Sequence, residues 1–456
     1  MKYFIITFGC QMNKTDSERI AGYLEKNNYN SASTINEADL IIVNMCSVRQ
    51  SAVDRVYGQI KNFKKLKQKN PKLKIILTGC ILKQDFEKLK QKYLSKKNQG
   101  YDYILPINSL PRWKNILKQK NMFSPKNLIY ANFQKINEKC KLNANYLKIA
   151  PKYKTKFSAY VPIITGCNNF CSYCVVPYTR RKEISRPAND IINEIKKLIK
   201  NNYKHIWLIG ENVNSYSYTE KNTNKKINFS KLLYMTNQIK GDFWISFSSS
   251  HPKDFSDELI KTIAECDKVA KYISLPVQSG DDKILKKMNR PYTIKQYKNI
   301  IKKIREKIPS VVLSTDAIIG FPKETKKQFE NTIKLFKEIK PDMAYVARYS
   351  PRQGTPAFNM KDSVSLKEKQ LRDKKLTETL KKIAIAKNKK YIGKIARVLP
   401  EYERKGYIIG KTKEYKTIKF KIANFNPQSV IGKFVNVKIT NAIPWGLKGE
   451  LTNNKL

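Results

Sequence analysis

Val161-Pro162-Ile163-Ile164-Thr165-Gly166-Cys167-Asn168-Asn169-Phe170-Cys171-Ser172-Tyr173-Cys174 places three cysteines, spaced C-x3-C-x2-C, on a loop directly after a short β-branched run. A continuous apolar run of this kind reads as a buried parallel strand, and the loop at its C-terminal end is where open α/β sheets bind ligands. Three thiolates so closely spaced can cap three irons of a cubic cluster and leave the fourth iron open to a small chelating ligand. The alternatives are a zinc knuckle, for which no fourth Cys or His follows at ligand spacing, and three unrelated buried thiols.

The same plan recurs three times upstream. Lys2-Tyr3-Phe4-Ile5-Ile6-Thr7-Phe8-Gly9-Cys10, Asp39-Leu40-Ile41-Ile42-Val43-Asn44-Met45-Cys46 and Lys74-Ile75-Ile76-Leu77-Thr78-Gly79-Cys80 each end a strand-like run in a cysteine. Helix-like stretches, Asp16 to Leu24 and Val53 to Ile60, separate them, so residues 1–118 are expected to form a doubly wound α/β domain. Neighbouring strands would bring Cys10, Cys46 and Cys80 to one sheet edge, where three thiolates can hold a second iron-sulfur cluster. Taken singly, each could equally be an ordinary buried cysteine. Cys140 has no such context, and Cys266, which closes the helical run from Glu258, is expected in the core.

Bulk composition narrows the classes. In 456 residues, 41% are hydrophobic, which excludes a collagen, a low-complexity polymer and a multi-span membrane protein. The first residues lack a small-residue cleavage site and are read as the first strand of a cytoplasmic protein with no membrane partner. Ninety Lys and Arg against 37 Asp and Glu give a net charge of +53, which suits a polyanionic partner. Their even spread along the chain suits a general compositional bias equally well. Eight cysteines and two histidines, His205 and His251, put metal chemistry on sulfur and are too sparse for a disulfide scaffold.

Further along, strand-like runs (Val161 to Thr165, His205 to Ile209, Phe243 to Phe247, Tyr272 to Pro276, Val311 to Ile318, Met343 to Tyr349) alternate with amphipathic helical runs such as Asp190 to Lys200. Six strands with helical crossovers predict a partial (β/α)6 barrel within residues 153–385. Its C-terminal strand ends should carry Cys167, Glu211, Ser248 to His251, Gln278, Gly320 and Arg348. His251, before Pro252, is expected to cap structure; Gln278 and Gly320 can either shape turns or approach a ligand. After a lysine-rich helical connector, Leu366 to Lys390, short β-prone runs suggest a small antiparallel barrel at 386–454. Residues 392–456 hold thirteen Lys and Arg against four Asp and Glu, with Tyr407, Phe420 and Trp445 interleaved. Cations for phosphates and aromatics for unpaired bases suit a structured RNA.

The C-x3-C-x2-C loop with an aromatic before its last cysteine resembles the radical S-adenosylmethionine superfamily. With Gly9-Cys10-Gln11-Met12-Asn13, Asn44-Met45-Cys46-Ser47-Val48-Arg49 and Thr78-Gly79-Cys80, the chain resembles the MiaB-type tRNA methylthiotransferases. Val175-Val176-Pro177-Tyr178-Thr179-Arg180, Leu275-Pro276-Val277-Gln278-Ser279-Gly280, Ile319-Gly320-Phe321-Pro322 and Tyr349-Ser350-Pro351-Arg352-Gln353-Gly354-Thr355-Pro356 extend the likeness along the chain.

The resemblance implies two [4Fe-4S] clusters, one on Cys167, Cys171 and Cys174 that binds S-adenosylmethionine, and an auxiliary one on Cys10, Cys46 and Cys80. It implies a C-terminal TRAM-like RNA-binding domain, a tRNA substrate methylthiolated at C2 of N6-dimethylallyladenosine beside the anticodon, an external electron donor, and a sulfur source or cluster-repair system. Replacing an unactivated aromatic C–H bond is beyond any side-chain acid or base, which fits a cofactor-borne reaction. Two segments depart from the pattern: Ile81-Leu82-Lys83-Gln84 replaces a small-residue segment, and Glu211 stands where related sequences often have Gln. The alternatives are a sibling methylthiotransferase acting on threonylcarbamoyl-adenosine tRNA or a ribosomal protein, and a non-catalytic iron-sulfur RNA-binding protein.

Overall fold

Alternate residues of the strand Leu40–Cys46 face opposite ways, and both faces are covered. In the computed structural model, which describes residues 1–48, 50–93, 100–118, 144–220, 222–421 and 426–452, Leu40 and Ile42 pack with Ile20 and Leu24 of the helix Gln11–Lys26. Ile41, Val43 and Met45 pack with Val53, Val56 and Phe63 of the helix Gln50–Lys69. A strand buried on both faces has no polar side to show, which is why it reads as unbroken apolar sequence.

Five parallel strands lie in the order Asn30–Ser31, Lys2–Phe8, Leu40–Cys46, Lys74–Cys80, Tyr103–Ile104. This is the expected doubly wound sheet. The winding reverses between Lys2–Phe8 and Leu40–Cys46, so the connections leave in opposite directions and a crevice opens beyond their C-terminal ends. Cys10 and Cys46 flank that crevice. Cys140 lies outside the described residues.

The central unit has six parallel strands in two groups of three. Ser158–Pro162, His205–Ile209 and Trp244–Phe247 form one sheet; Tyr272–Ser274, Val312–Ile319 and Met343–Arg348 form the other. A parallel bridge from Ile245 to Val269 carries the curl from the first group to the second. Helices cover the outside; Ala188–Lys200 does so with a stripe of Ile191, Ile192, Ile195 and Leu198. The first strand corrects the sequence reading, because Ser158–Pro162 precedes the expected Val161 to Thr165. Ile163 N still donates to Ile209 O at 2.9 Å, after which Ile164–Thr165 pairs antiparallel with Ile184–Ser185. The cysteine loop thus follows this small hairpin strand.

The helix Leu366–Lys389, capped by Ser365 on Glu368 N, leads to a closed five-stranded barrel: Ile395–Arg404, Tyr407–Thr412, Thr417–Lys421, Gly446–Leu451, Val435–Ile443. Four of its pairings are antiparallel, and Thr417–Lys421 runs parallel to Gly446–Leu451. The expected antiparallel barrel therefore carries one exception, which geometry requires: an odd number of strands cannot close into a ring with every neighbour reversed.

This barrel docks at the N-terminal ends of the central strands. Phe434 tilts against Trp244 with ring centroids 4.5 Å apart, and Tyr415 packs edge-on to Trp207 at 4.9 Å. Buried Asp342 binds Lys387 Nζ at 2.7 Å and Lys416 Nζ at 2.9 Å. Burial would raise the Asp342 carboxyl pKa, but the two ammonium groups more than offset it and hold it below the usual range. Its contribution is therefore present above the ordinary Asp pKa and lost as pH falls through the lowered one. Asp342→Asn leaves Lys416 buried beside a neutral amide and is expected to destabilise this junction by about 1–3 kcal/mol. Calorimetry at neutral pH should show a lower transition for the variant, with the difference shrinking in acid; equal transitions at neutral pH would refute it. Among the described residues, no helix is long and apolar enough to cross a membrane.

Candidate functional site

Cys46 and Cys80 end adjacent parallel strands and are direct register partners. Cys10 comes from the first turn beyond Lys2–Phe8 and begins the helix Gln11–Lys26. A reciprocal amide pair holds these elements together: Asn13 Nδ2 donates to Asn44 Oδ1 at 2.9 Å and to Met45 O at 3.1 Å, while Asn44 Nδ2 donates to Asn13 O at 2.8 Å. Both asparagines are fully buried. Gly79, at φ +106°, lets the strands close here, since a Cβ would meet Met45 O at 2.2 Å.

The result is the expected meeting of three thiols. Cys46 interacts with both Cys10 and Cys80, and those thiols together with burial push its pKa far up. The hydrogen bond from Cys46 draws the Cys10 pKa down to about 6, against the opposing effect of burial. Three thiols crowded at a sheet edge, one of them readily ionised, suit a metal cluster that binds thiolates and releases their protons.

The second group is Cys167, Cys171 and Cys174. Each accepts a hydrogen bond: from Asn169 Nδ2 at 3.4 Å, from Arg290 Nη1 at 3.5 Å and from Val176 N at 3.4 Å respectively. Burial raises Cys167 and pushes Cys174 up to about 12, so bound cations or donors must stabilise the thiolates. The loop is clamped from outside: Ser172 N donates to Met288 O at 3.0 Å, and Ala357 N donates to Ser172 O at 2.8 Å. Gly166, at φ +85°, begins it where a Cβ would strike Lys182 O at 2.1 Å. Among the described residues, no group of three or more His, Cys, Asp and Glu lies close enough to hold a single metal ion. A four-iron cube spreads its ligands more widely, one thiolate per iron.

The strand ends around this loop carry the residues named from the sequence. Glu211 follows His205–Ile209, Ser248 to His251 follow Trp244–Phe247, Gly320 follows Val312–Ile319, and Arg348 ends Met343–Arg348. His251 is a cap, as expected: its Nδ1 accepts from Lys253 N at 3.2 Å. Its Nε2, Ser250 Oγ and Asn212 Oδ1 are nevertheless buried without hydrogen-bond partners. Such groups cost free energy unless something pairs with them, and a small polar ligand on an open iron would do so. Gln278 (φ +71°) and Gly320 (φ +65°) both have the left-handed backbone of turn formers. Cys266 is buried in the core.

The decisive residue was not assigned a role from the sequence. Arg180, six positions after Cys174, is 9% exposed. Its Nε donates to Cys80 Sγ at 2.9 Å, its Nη2 to Asp16 Oδ2 at 2.5 Å, and its Nη1 to the Tyr146 hydroxyl at 3.2 Å. Glu211 lies 3.6 Å from Nε and accepts a hydrogen bond from Gly166 N at 3.0 Å. A continuous buried path therefore runs from Cys80 through Arg180 and Glu211 to the residue before Cys167. In the sequence Arg180 enters only as the last residue of the family-like segment Val175 to Arg180.

In the C-terminal barrel, Trp445 is 48% exposed, and Lys419 Nζ sits 3.6 Å from the Tyr407 ring centroid. Phe420 corrects the sequence reading. It is 1% exposed in the barrel core, because Ile418 and Phe420 share the inward face of their strand while Lys419 and Lys421 point out. It has no face to offer a base. Tyr402, 47% exposed, was missed.

Three family models match: the radical SAM superfamily over residues 161–336, an uncharacterized protein family designated UPF0004 over 2–98, and a TRAM domain over 389–452. A protein of Clostridium botulinum (strain Okra) named tRNA-2-methylthio-N(6)-dimethylallyladenosine synthase is 42% identical over 98% of this chain and 96% of its own length. Proteins of the same name from Clostridium tetani and Thermoanaerobacter pseudethanolicus are each 41% identical over 98% of this chain, and over 96% and 92% of their own lengths. Among solved structures, the radical S-adenosylmethionine methyltransferase TsrM from Kitasatospora setae superposes with a TM-score of 0.54 at 10% identity, covering 78% of this chain and 75% of that one. That likeness is one of fold.

Proposed function

The chain belongs to the tRNA-2-methylthio-N(6)-dimethylallyladenosine synthases, a family of radical SAM enzymes, and from that premise we propose how its own residues divide the work. It is a transferase that adds a methylthio group to C2 of N6-dimethylallyladenosine in tRNA. Cys167, Cys171 and Cys174 would hold the [4Fe-4S] cluster that binds S-adenosylmethionine, and Cys10, Cys46 and Cys80 would hold a second. When bound, these groups supply radical chemistry able to replace an aromatic C–H bond, together with the sulfur and methyl to be installed.

The observation that carries this reading is the pair of cysteine triads joined by one buried arginine. The protein's part is positional. Asn13 and Asn44 fix the Cys10 turn against the strand ending in Cys46. Arg290 and the 286–290 turn fix the Cys171 loop, since Arg290 also donates from Nη2 to Pro276 O at 2.9 Å. Asn212, Ser250 and His251 carry buried, unpartnered polar atoms that a chelating ligand would satisfy. On the C-terminal barrel, Lys419 and Lys421 beside the Tyr407 ring, and the exposed Tyr402 and Trp445, offer cations and aromatics suited to tRNA. Electrons and replacement sulfur come from outside the chain, from a reductant and a sulfur source or cluster-repair system.

Mass spectrometry of tRNA nucleosides from cells lacking the protein tests this reading. The 2-methylthio group on dimethylallyladenosine should vanish and return with the wild-type protein. An unchanged nucleoside would sink the substrate assignment and move the search to threonylcarbamoyl-adenosine tRNA and ribosomal protein.

A further inference from the structure

Between the helices Gln50–Lys69 and Lys83–Tyr93 of the N-terminal unit and the segment Pro351 to Phe358 lies a cavity of about 800 Å³. Leu82, two residues beyond Cys80, and Gln50, four beyond Cys46, line its inner side. Arg352 also lines it and is 7% exposed. The guanidinium donates from Nη1 to Gln50 Oε1, but Nη2 is buried with no hydrogen-bond partner. Asp85, which lines the same cavity, Cys46 and Asp54 act on it only through space, against the burial that disfavours its charge. A buried cation so weakly paired is costly and is suited to an incoming anion.

The rest of the cavity is not what a simple anion needs. Phe358 is 43% exposed at its edge. Gln84 and Gln353 add amides, and Lys88 Nζ lies 3.4 Å from Gln353 Oε1. Gly354, at φ +88°, makes room for Gln84, whose amide a Cβ would meet at 2.9 Å. A guanidinium and an ammonium for phosphate, an exposed ring for stacking and several amides for base edges together match a nucleotide of unpaired RNA.

We propose that this cleft binds a nucleotide neighbouring the reacting adenosine in the unpaired tRNA loop, with Arg352 and Lys88 on its phosphate and Phe358 against its base. The proposal rests on the tRNA assignment above and adds a specificity subsite to it. The cavity lies near the Cys46 and Cys80 strand ends, through Gln50 and Leu82.

The test uses full-length protein with reconstituted iron-sulfur centres and a stem-loop RNA containing dimethylallyladenosine, with affinity read by fluorescence anisotropy. Phe358→Ala should weaken binding roughly tenfold through lost stacking. Lys88→Gln should reduce the slope of log affinity against log salt by about one. Both side chains are outside the core, and iron content with thermal unfolding checks that each variant is folded. Arg352→Gln should weaken binding without changing the electron paramagnetic resonance spectrum. Wild-type affinity and salt slope in both the Phe358 and Lys88 variants would overturn the proposal. An altered spectrum with unchanged RNA affinity in the Arg352 variant would also overturn it, assigning the guanidinium to the auxiliary cysteines instead. Failure of the wild-type protein itself to bind this stem-loop would overturn the tRNA assignment, a result distinct from any difference between variants.

Discussion

Cys10→Ala is expected to retain release of 5′-deoxyadenosine from S-adenosylmethionine under reduction while transferring no sulfur, whereas Cys171→Ala should lose both activities. The two thiols belong to separate groups on separate units, the first at the mouth of the N-terminal sheet and the second on the loop leading into the barrel. Cys10 is the better probe of its triad. It is only half-buried, whereas Cys46 and Cys80 are packed into strand ends where truncation would also leave a cavity. Iron analysis supplies a second readout, since loss of either cluster should take the content from about eight to about four irons per chain. If Cys10→Ala abolished S-adenosylmethionine cleavage while keeping full iron, the division between the triads would be wrong.

The second large effect is expected from Arg180→Met. The guanidinium joins Asp16, which is fully buried, to Cys80 and Glu211 across the seam between the first two units. Removing it leaves Asp16 with no compensating cation, a situation that costs about 3–5 kcal/mol when a buried pair is broken from one side. Burial pushes the Glu211 carboxyl up to about 7, against the pull of Arg180, so a second acid in the same pocket would also lose its counter-charge. Denaturant unfolding should show the loss, and Asp16→Asn in the same chain should recover part of it. A fully additive double variant would mean that the contact does not couple the two residues. The Arg180→Met protein should also retain iron poorly on its N-terminal cysteines, a readout that a simple loss of packing elsewhere would not move.

Much of the site was legible because its parts are local. The C-x3-C-x2-C spacing lies within one loop, and each N-terminal cysteine closes a strand whose unbroken apolar character signals burial on both faces. Residues that cross between elements were not legible. Arg180 lies 100 positions from Cys80, Arg290 lies 119 from Cys171, and Arg352 lies 302 from Gln50. Periodicity carries no information at such separations. Phe420 failed for a different reason, since an aromatic among lysines suggests a binding face until strand alternation assigns it inward.

By itself the sequence determined the α/β units, the small C-terminal barrel and the strands with their cysteine ends, because strand burial, helix periodicity and cysteine spacing are written within a few residues of one another. The tertiary structure alone decided which charges are buried together. The winding of the sheet brings Cys10, Cys46 and Cys80 to one crevice, and docking of the barrel against it puts Arg180 on Cys80 and Asp16. Whether a lysine or arginine is a solvated surface group or a buried counter-charge depends on the field of neighbours that folding assembles from distant parts of the chain.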